Sequence, residues 1–172
     1  KISSTDFTNL AFIKRVVAKG KPIVISTGMS YQEEVDFIME ELSKISKDVV
    51  ILQCTGNYPT PDNEVNLNVM SMYESRYGCI TGYSDHTEGL GASPYAVAMG
   101  AKVIEKHFTL DKTMDGPDHP ASLDPTELKA LVDEVRKVER MLGSDKKAPT
   151  ASEMETRNKL QKCLVANGEI SK

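Results

Sequence analysis

The chain has 172 residues, with 21 Lys and Arg against 25 Asp and Glu, so its net charge is −4. A mildly acidic chain is poorly suited to bind nucleic-acid phosphates, and no apolar run approaches the roughly 18 residues that a membrane-spanning helix needs. Hydrophobic residues at 40% and charged residues at 27% favour a globular fold over a disordered chain. We therefore expect a domain with a sizeable core and neither a nucleic-acid nor a membrane partner.

Apolar runs typical of strands alternate with amphipathic segments along the chain. The predicted strands are Pro22–Gly28, Val49–Thr55, Ile80–His86 and Val103–Thr109, and Lys1–Ser4 resembles the end of a further strand. They begin at intervals of 27, 31 and 23 residues, which suits successive strand–helix units and a parallel sheet.

The predicted helices lie between these strands and after the last one. They are Phe7–Lys19, Tyr31–Ile45, Leu67–Tyr77, Gly89–Met99 and Pro125–Leu142. The last has the clearest signals, because Asp124 is an expected N-cap, Pro125 suits the first position and Glu127 can complete a capping box.

The composition changes after Gly143. Ser144–Asn158 is polar and is predicted to be a linker, and Lys162–Ile170 is predicted to begin a second, β-rich module. The domain assignment is therefore 1–143 for the α/β domain and 144–172 for the linker and the start of the next domain. Because the chain begins at Lys1 without an initiator Met, we expect it to be part of a longer protein.

The three cysteines are Cys54, Cys79 and Cys163, and their spacing matches no zinc motif. An odd number of thiols predicts no disulfide framework and favours a reducing cytoplasm. Strand alternation places Cys54 on the apolar face, so we expect a core residue and not a nucleophile.

Polar side chains gather near the carboxyl ends of the predicted strands. Alternation assigns them to one face, with Asp85 and Lys106 on the other face, where they are expected to pair across neighbouring strands. The members of the polar face are Ser26, Gln53, Thr55, Ser84, His86, Glu105 and His107. Both β/α barrels and doubly wound sheets bind ligands at this end of their strands, so the pattern leaves the two folds open.

His86 and His107 end consecutive predicted strands. If the strands are neighbours, the two imidazoles can share a divalent cation. The alternative is two buried histidines that bond to carbonyl groups. Glu105 shares the face of His107, where it can bind a substrate hydroxyl, orient a ligand or form an ion pair.

Further candidates lie in loops and at strand ends. Asp118 and His119 belong to the turn-rich segment 115–120, and Tyr58 follows the second strand; each can contact a substrate or serve only to shape its loop. A cation and hydroxyl groups near strand ends can hold a phosphate. These residues are Lys1, Ser4, Ser26 and Ser84.

Five ordered stretches together resemble the N-acetylneuraminate (sialic acid) synthase family. They are Gly20–Met29, Leu52–Pro61, Gly82–Thr87, Gly100–Leu110 and Gly116–Pro125. The resemblance implies a (β/α)₈ TIM barrel followed by a small antifreeze-like (SAF) domain, in a homodimeric cytoplasmic transferase of sialic acid biosynthesis. It also implies condensation of phosphoenolpyruvate with N-acetylmannosamine or a related N-acyl amino sugar, giving a nine-carbon 2-keto acid and phosphate.

The resemblance also implies roles for individual residues. His86 and His107 match the ligands of a divalent metal, Mn²⁺ or Mg²⁺, while Lys1, Ser4, Ser26 and Ser84 match positions that bind phosphoenolpyruvate. Tyr58, Glu105 and Asp118 match sugar-contacting positions and are the candidate catalytic residues. Asn57 is the candidate for an amide contact to substrate, although Gly56 and Asn57 depart from the family's pattern before the loop tyrosine.

The sequence also departs from a complete barrel, which needs eight strands and about 250 residues. We count four strands and a strand end, so we expect this chain alone to be inactive. Two alternatives remain open: another phosphoenolpyruvate-condensing synthase of the octulosonate- or heptulosonate-phosphate type, and a non-catalytic partial-barrel binding module.

Overall fold

The computed structural model describes residues 1–169, which fall into two compact units, Lys1–Leu142 and the part of Gly143–Lys172 that is described. The four strands of the described chain are β1 (Ile23–Ser26), β2 (Val49–Cys54), β3 (Ile80–Asp85) and β4 (Val103–Lys106). The helices are α1 (Leu10–Val17), α2 (Gln32–Ser43), α3 (Asn68–Tyr77), α4 (Ser93–Ala98), α5 (Pro125–Leu142) and α6 (Met154–Leu160). None of them is both long and apolar enough to cross a membrane.

The strands form one parallel sheet in the order β1-β2-β3-β4. Each pairs with the next in sequence, as successive strand–helix units require. Ile2 forms a parallel bridge with Ile25 on the other side of β1, and its amide donates to the Val24 carbonyl at 2.8 Å. The predicted strand end at Lys1–Ser4 thus lies where a further parallel strand would lie. The result is the α/β arrangement of a partial β/α barrel.

The apolar side chains of one sheet face pack against the helices. Ile25 and Ile51 are fully buried against α2, which contributes Val35 and Ile38, and Tyr73 of α3 completes this contact. A second cluster surrounds Tyr83 on β3 and includes residues of α3 and α4. The helices therefore cover one face, and the opposite face is left to carry the site.

The register corrects the prediction for β2. Cys54 pairs with Ser84, and Ser84 pairs with Glu105, so these three side chains share the site face. Gln53 pairs with Tyr83 on the helix-covered face, where its amide donates to the Val65 carbonyl at 3.1 Å. The expected faces of Gln53, Thr55 and Cys54 were therefore wrong, because the Val65 and Glu64 carbonyls accept from the two polar side chains away from the site. Cys54 is nevertheless buried, at 6% exposure, as expected of a core residue.

Asp85 and Lys106 form the cross-strand pair that alternation predicts. They are register partners on β3 and β4, and Lys106 Nζ lies 3.1 Å from Asp85 Oδ2. Both side chains are almost completely buried, at 0% exposure for Asp85 and 4% for Lys106. This pair lies on the helix-covered face and therefore outside the set of side chains that line the site.

The start of α5 also follows the prediction. Asp124 Oδ1 accepts from the Glu127 amide at 2.8 Å, and Glu127 Oε2 accepts from the Asp124 amide at 3.0 Å. This reciprocal pair is a capping box, which satisfies two amides that the helix itself leaves unbonded.

The second unit differs from the expected linker. Residues 151–153 form a 3₁₀ turn and α6 follows directly, because Thr150 and Glu153 make a second capping box. Residues 162–169 contain no strand, and the remainder of the predicted β-rich module and domain, 170–172, lies outside the described residues. Its assignment as the start of an antifreeze-like domain stays a prediction.

Candidate functional site

Three aromatic rings meet beyond the carboxyl ends of β3 and β4. The rings of His86 and His107 have their centroids 5.5 Å apart, close to perpendicular. Tyr58, from the loop after β2, stacks on His86 at 3.9 Å and meets the edge of His107 at 5.2 Å. Three separate strand–loop connections therefore bring these side chains to one place.

One nitrogen of His86 is fixed by the backbone. Its Nδ1 lies 2.7 Å from the Thr55 carbonyl oxygen, and since a carbonyl can only accept, Nδ1 carries the proton. Burial lowers the pKa of His86, partly opposed by this carbonyl, and the neighbouring His107 lowers it further. The ring is thereby favoured as a neutral imidazole whose Nε2 lone pair is free to coordinate.

Burial also acts on Tyr58. It raises the pKa of the phenol, and the nearby Cys54, Asp118 and Glu105 raise it further by electrostatic repulsion of a phenolate. The hydroxyl of Tyr58 is therefore protonated at neutral pH and can donate a hydrogen bond.

A carboxylate and an ammonium group lie beside the rings. Lys1 Nζ is 3.0 Å from Glu105 Oε1, and the Ser84 hydroxyl donates to the same oxygen at 2.8 Å. These contacts give the partly exposed Glu105 carboxylate a cation and a hydrogen-bond donor. They also place a cation and a hydroxyl side by side, which is the donor set that an anionic substrate requires.

Small polar groups lie between β1 and β2. The Gly28 amide donates to Ser4 Oγ at 3.0 Å, and Ser4 Oγ lies 3.6 Å from Cys54 Sγ. Cys54 Sγ is in turn 3.9 Å from His86 Nδ1. Ser26 is 1% exposed, and its hydroxyl has no hydrogen-bond partner among residues 1–169. Cys54 therefore lies between Ser4, one of the serines predicted to bind phosphate, and His86 of the aromatic cluster.

The remaining predicted site residues do not all lie at the aromatic cluster. Asp118 Oδ2 is 3.9 Å from His107 Nδ1, so its exposed carboxylate lies at the rim of the aromatic cluster. His119 bonds through Nδ1 to Thr109 Oγ1 at 2.7 Å, which is a loop contact. Asn57 donates to Glu64 Oε2 at 2.9 Å, and this bond holds its amide against its own loop. The structure thus groups Asp118 with the histidines but does not bring Asn57 to them.

Sequence reasoning missed two contributors to the site. Cys54 lies between Ser4 and His86, and the backbone carbonyl of Thr55 orients the imidazole of His86. The place of Cys54 in the site follows from the register of β2 with β3, in which Cys54 pairs with Ser84. No side-chain pattern could predict the role of Thr55, because the group that accepts from His86 is its main-chain carbonyl.

The described residues could supply only some of the ligands of a metal site. Within residues 1–169, no group of three or more His, Cys, Asp or Glu side chains is arranged to hold a metal ion. Two close imidazoles, one with its Nδ1 fixed by a carbonyl, are nevertheless the kind of ligands that Mn²⁺ and other transition metals accept. His86 and His107 therefore fit two of the ligands, and the others would come from water, substrate or residues outside this chain.

Comparison with known proteins gives the same family as the sequence motifs. Residues 1–147 match the model of the NeuB family. The chain is 43% identical over 175 residues to N,N'-diacetyllegionaminic acid synthase of Campylobacter jejuni, covering 100% of this chain and 52% of the relative. It is 43% identical over 171 residues to human N-acetylneuraminate-9-phosphate synthase, covering 99% of this chain and 48% of the relative.

A solved structure extends the similarity to the fold. The crystal structure of N-acetylneuraminic acid (sialic acid) synthetase from Leptospira borgpetersenii in complex with citrate superposes with a TM-score of 0.85 at 34% identity, covering 95% of this chain and 58% of that chain. The chain spans about half the length of the curated relatives it matches.

Proposed function

The chain belongs to the NeuB family, and we propose that it forms the carboxyl-terminal part of the catalytic barrel of a sugar-acid synthase. The complete enzyme would condense phosphoenolpyruvate with N-acetylmannosamine or a related N-acyl amino sugar, giving a nine-carbon 2-keto acid and phosphate. The observation that carries the proposal is the convergence of Tyr58, His86 and His107 beside the pair formed by Lys1 and Glu105.

His86 and His107 would hold a divalent metal, Mn²⁺ or Mg²⁺. A two-imidazole donor set suits Mn²⁺ better than Mg²⁺, which prefers oxygen ligands. When bound, such an ion supplies Lewis acidity toward the sugar aldehyde oxygen. The chain's contribution is to favour the neutral form of His86, because burial lowers its pKa and Nδ1 bonds to the Thr55 carbonyl, and to hold the two rings 5.5 Å apart.

Phosphoenolpyruvate would lie along Lys1 and the serine hydroxyls. Lys1 and Ser84 already share Glu105 Oε1, so their donors lie in one place. Ser4 is held by the Gly28 amide, and the buried Ser26 hydroxyl offers a donor. Cationic and hydroxyl groups fixed in this way stabilise the charges of a phosphate and a carboxylate without reorganising during the reaction.

The sugar would lie at the rim formed by Tyr58, Glu105 and Asp118. The Tyr58 hydroxyl is available as a donor, and its ring covers His86. Glu105 would accept from a substrate hydroxyl while Lys1 and Ser84 keep it oriented. Asn57 would take part only after its bond to Glu64 opens.

The central test uses the complete protein and the His107→Ala variant. We expect phosphate release from phosphoenolpyruvate to require both the amino sugar and Mn²⁺ in the native protein, and His107→Ala to abolish this turnover while the circular-dichroism spectrum is unchanged. Glu139→Gln, at an exposed ion pair within α5, is the matched control and should retain full activity. Undiminished turnover of His107→Ala would remove His107 from the site.

Product analysis identifies the substrate class. We expect a nine-carbon acid from an N-acyl amino sugar and no product from arabinose 5-phosphate, which octulosonate-phosphate synthases use. A protein that binds neither Mn²⁺ nor phosphoenolpyruvate although it is folded would instead indicate a non-catalytic binding module. The relatives are named as synthases of different sugar acids, so N-acetylmannosamine and its diacetylated counterparts should be compared side by side as substrates.

Assembly and location are part of the same proposal. The complete enzyme would be a cytoplasmic homodimer in which a small antifreeze-like domain follows the barrel. Light scattering of the complete protein should give twice the mass of one chain, and a monomeric mass at working concentration would contradict the dimer.

A further inference from the structure

The buried ion pair formed by Asp85 and Lys106 has no part in the proposed binding of metal or substrates. It lies on the helix-covered face, so it touches neither the proposed metal nor the proposed substrates. Both oxygens of the Asp85 carboxylate nevertheless have several partners. Asp85 Oδ1 accepts from the Thr87 amide at 2.8 Å and the Thr87 hydroxyl at 2.6 Å. Asp85 Oδ2 accepts from the Ser93 amide at 3.0 Å and the Ser93 hydroxyl at 2.5 Å, and it forms the ion pair with Lys106 Nζ at 3.1 Å.

The pair is the last register contact before the two histidines. Asp85 and Lys106 are the final partners of the ladder between β3 and β4, and His86 and His107 are their immediate successors in the chain. Lys106 Nζ also donates to the Thr87 carbonyl at 2.7 Å. His86 is therefore flanked on both sides by residues that the buried network holds.

The backbone at Gly91 lies directly against this hydrogen-bond network. Gly91 has a φ of +52°, and a methyl group on it would lie 1.7 Å from Thr87 Oγ1 and 3.1 Å from Lys106 Nζ. The Ala92 amide donates to the Thr87 hydroxyl at 3.0 Å. Any side chain at position 91 would thus displace the network, so only glycine fits there.

Stability alone does not account for such a pair. Two buried charges lose their hydration, and replacing both by uncharged groups of similar size is often neutral for stability. The pair can instead fix the spacing between the ends of two adjacent strands, and the distance between the two imidazoles depends on that spacing.

We propose that Asp85 and Lys106 are positioning residues that hold the ends of β3 and β4 and thereby set the spacing of His86 and His107. The inference rests on the proposed function in one respect, namely that these histidines bind a divalent metal. Because residues that orient metal ligands typically change affinity by about 10–100-fold when they are replaced, the effect is measurable by binding alone.

The test compares Mn²⁺ binding to the complete native protein and to a double variant, Asp85→Asn with Lys106→Met. Both charges are removed together, so neither is left buried without its partner. We expect the Mn²⁺ dissociation constant to rise at least about tenfold while the protein remains folded. The matched control is Lys14→Met with Glu41→Gln, which removes an ion pair between α1 and α2 and should leave the dissociation constant unchanged.

A second variant covers the case in which the double variant does not fold. Ser93→Ala removes only the hydroxyl that donates to Asp85, and it should weaken Mn²⁺ binding to a smaller degree. NMR of the metal-free protein adds an independent readout: His86 should be a single Nδ1–H tautomer in the native protein and a mixture in the variants.

The outcomes separate this inference from the proposed function. A native protein that binds no Mn²⁺ would overturn the metal site and the positioning role together. A native protein that binds Mn²⁺, with folded Asp85 or Ser93 variants that bind it equally well and keep the His86 tautomer, would overturn the positioning role alone.

Discussion

The part of the site between β1 and β2 is built from small groups in close contact. The Gly28 amide bonds to Ser4 Oγ, and a methyl group on Gly28 would lie 2.8 Å from that oxygen and 3.2 Å from Cys54 Sγ. The absence of a side chain at position 28 is therefore what lets Ser4 approach the carboxyl end of β1.

Gly28→Ala should displace the Ser4 hydroxyl and leave the fold in place. Losing a hydrogen bond to a charged group costs about 1.5 kcal/mol, so we expect the KM for phosphoenolpyruvate to rise roughly tenfold with a smaller effect on kcat. Steady-state kinetics of the complete enzyme measure both constants. Gly168→Ala is the matched control, since nothing lies within 4 Å of the added methyl group. An unchanged KM in Gly28→Ala would exclude Ser4 from binding this substrate.

Individual residues differ in how far the sequence could predict them. Alternation along a strand sufficed for Asp85 and Lys106, whose pairing needs only the register of two neighbours. It failed for Gln53 and Cys54, because polarity was taken to mark the site face. Gln53 bonds instead to the Val65 carbonyl, 12 residues later in the connection between β2 and α3, and a pattern along one strand contains no information about that acceptor.

At the scale of elements, α5 is fixed by its first turn. Leu123 bridges to Phe108 just beyond β4, and Asp124 then caps the helix through the Glu127 amide. The cap thus connects the last strand to the longest helix of the chain.

Asp124→Ala should therefore lower the free energy of unfolding by about 0.5–2 kcal/mol, the usual cost of losing an N-cap. Equilibrium urea unfolding of the complete protein, followed by circular dichroism, measures the change. Asp124→Asn is the informative control, because an amide oxygen can still accept from the helix and should restore most of the loss. Equal stability of the alanine variant and the native protein would show that the cap does not stabilise the fold.

Helices α2 and α3 are joined by an ion pair that makes stability depend on pH. Arg76 Nε and Nη2 donate to Asp36 at 2.6 and 2.7 Å, and the Tyr77 hydroxyl donates at 2.8 Å. The hydrogen bond from Arg76, followed by that from Tyr77, lowers the pKa of Asp36 from 3.8 to about 2. A carboxyl group with a lowered pKa in the folded state stabilises the fold above its unfolded pKa, and this contribution is lost as the pH falls through the folded pKa.

Asp36→Asn should accordingly lower the Tm at pH 7 by a small amount, since the pair is exposed. The difference in Tm from the native protein should narrow as the pH falls from about 4 toward 2, the range between the two pKa values. Thermal unfolding across this range provides the measurement. Asp133→Asn, which breaks a pair within α5 only, is the control for loss of an exposed charge. A difference that stays constant with pH would contradict the assignment.

The strands and α5 were easier to predict from the sequence than the segment that follows α5. The strands and α5 followed directly from apolar periodicity and capping residues. Helix α6, which begins within the predicted linker Ser144–Asn158, did not, because the polar composition there is typical of a linker and the start of the helix depends on the capping box of Thr150 and Glu153. Capping signals can therefore outweigh composition over a short segment.

At the scale of the whole molecule, the described sheet has an open side. β4 pairs only with β3 among the described strands, and Phe108 and Leu110 beyond its end are 50% and 77% exposed. The site face consequently receives inward-pointing side chains from four strands and from the bridge at Ile2. A closed barrel receives them from eight strands, so we expect the proposed activity to require the rest of the barrel.

The 172-residue chain by itself should therefore release no measurable phosphate from phosphoenolpyruvate and an N-acyl amino sugar. Lys1, Ser4 and the two histidines are present, but a closed ring of strands is required to exclude water and to surround an anionic substrate with fixed donors. A coupled phosphate-release assay should compare equal molar amounts of this chain and the complete enzyme at saturating Mn²⁺. Circular dichroism would show whether the isolated chain retains its helices, so that inactivity is not mistaken for unfolding. Full turnover by the isolated chain would mean that four strands suffice to form the active site, and the proposed dependence on a closed barrel would be wrong.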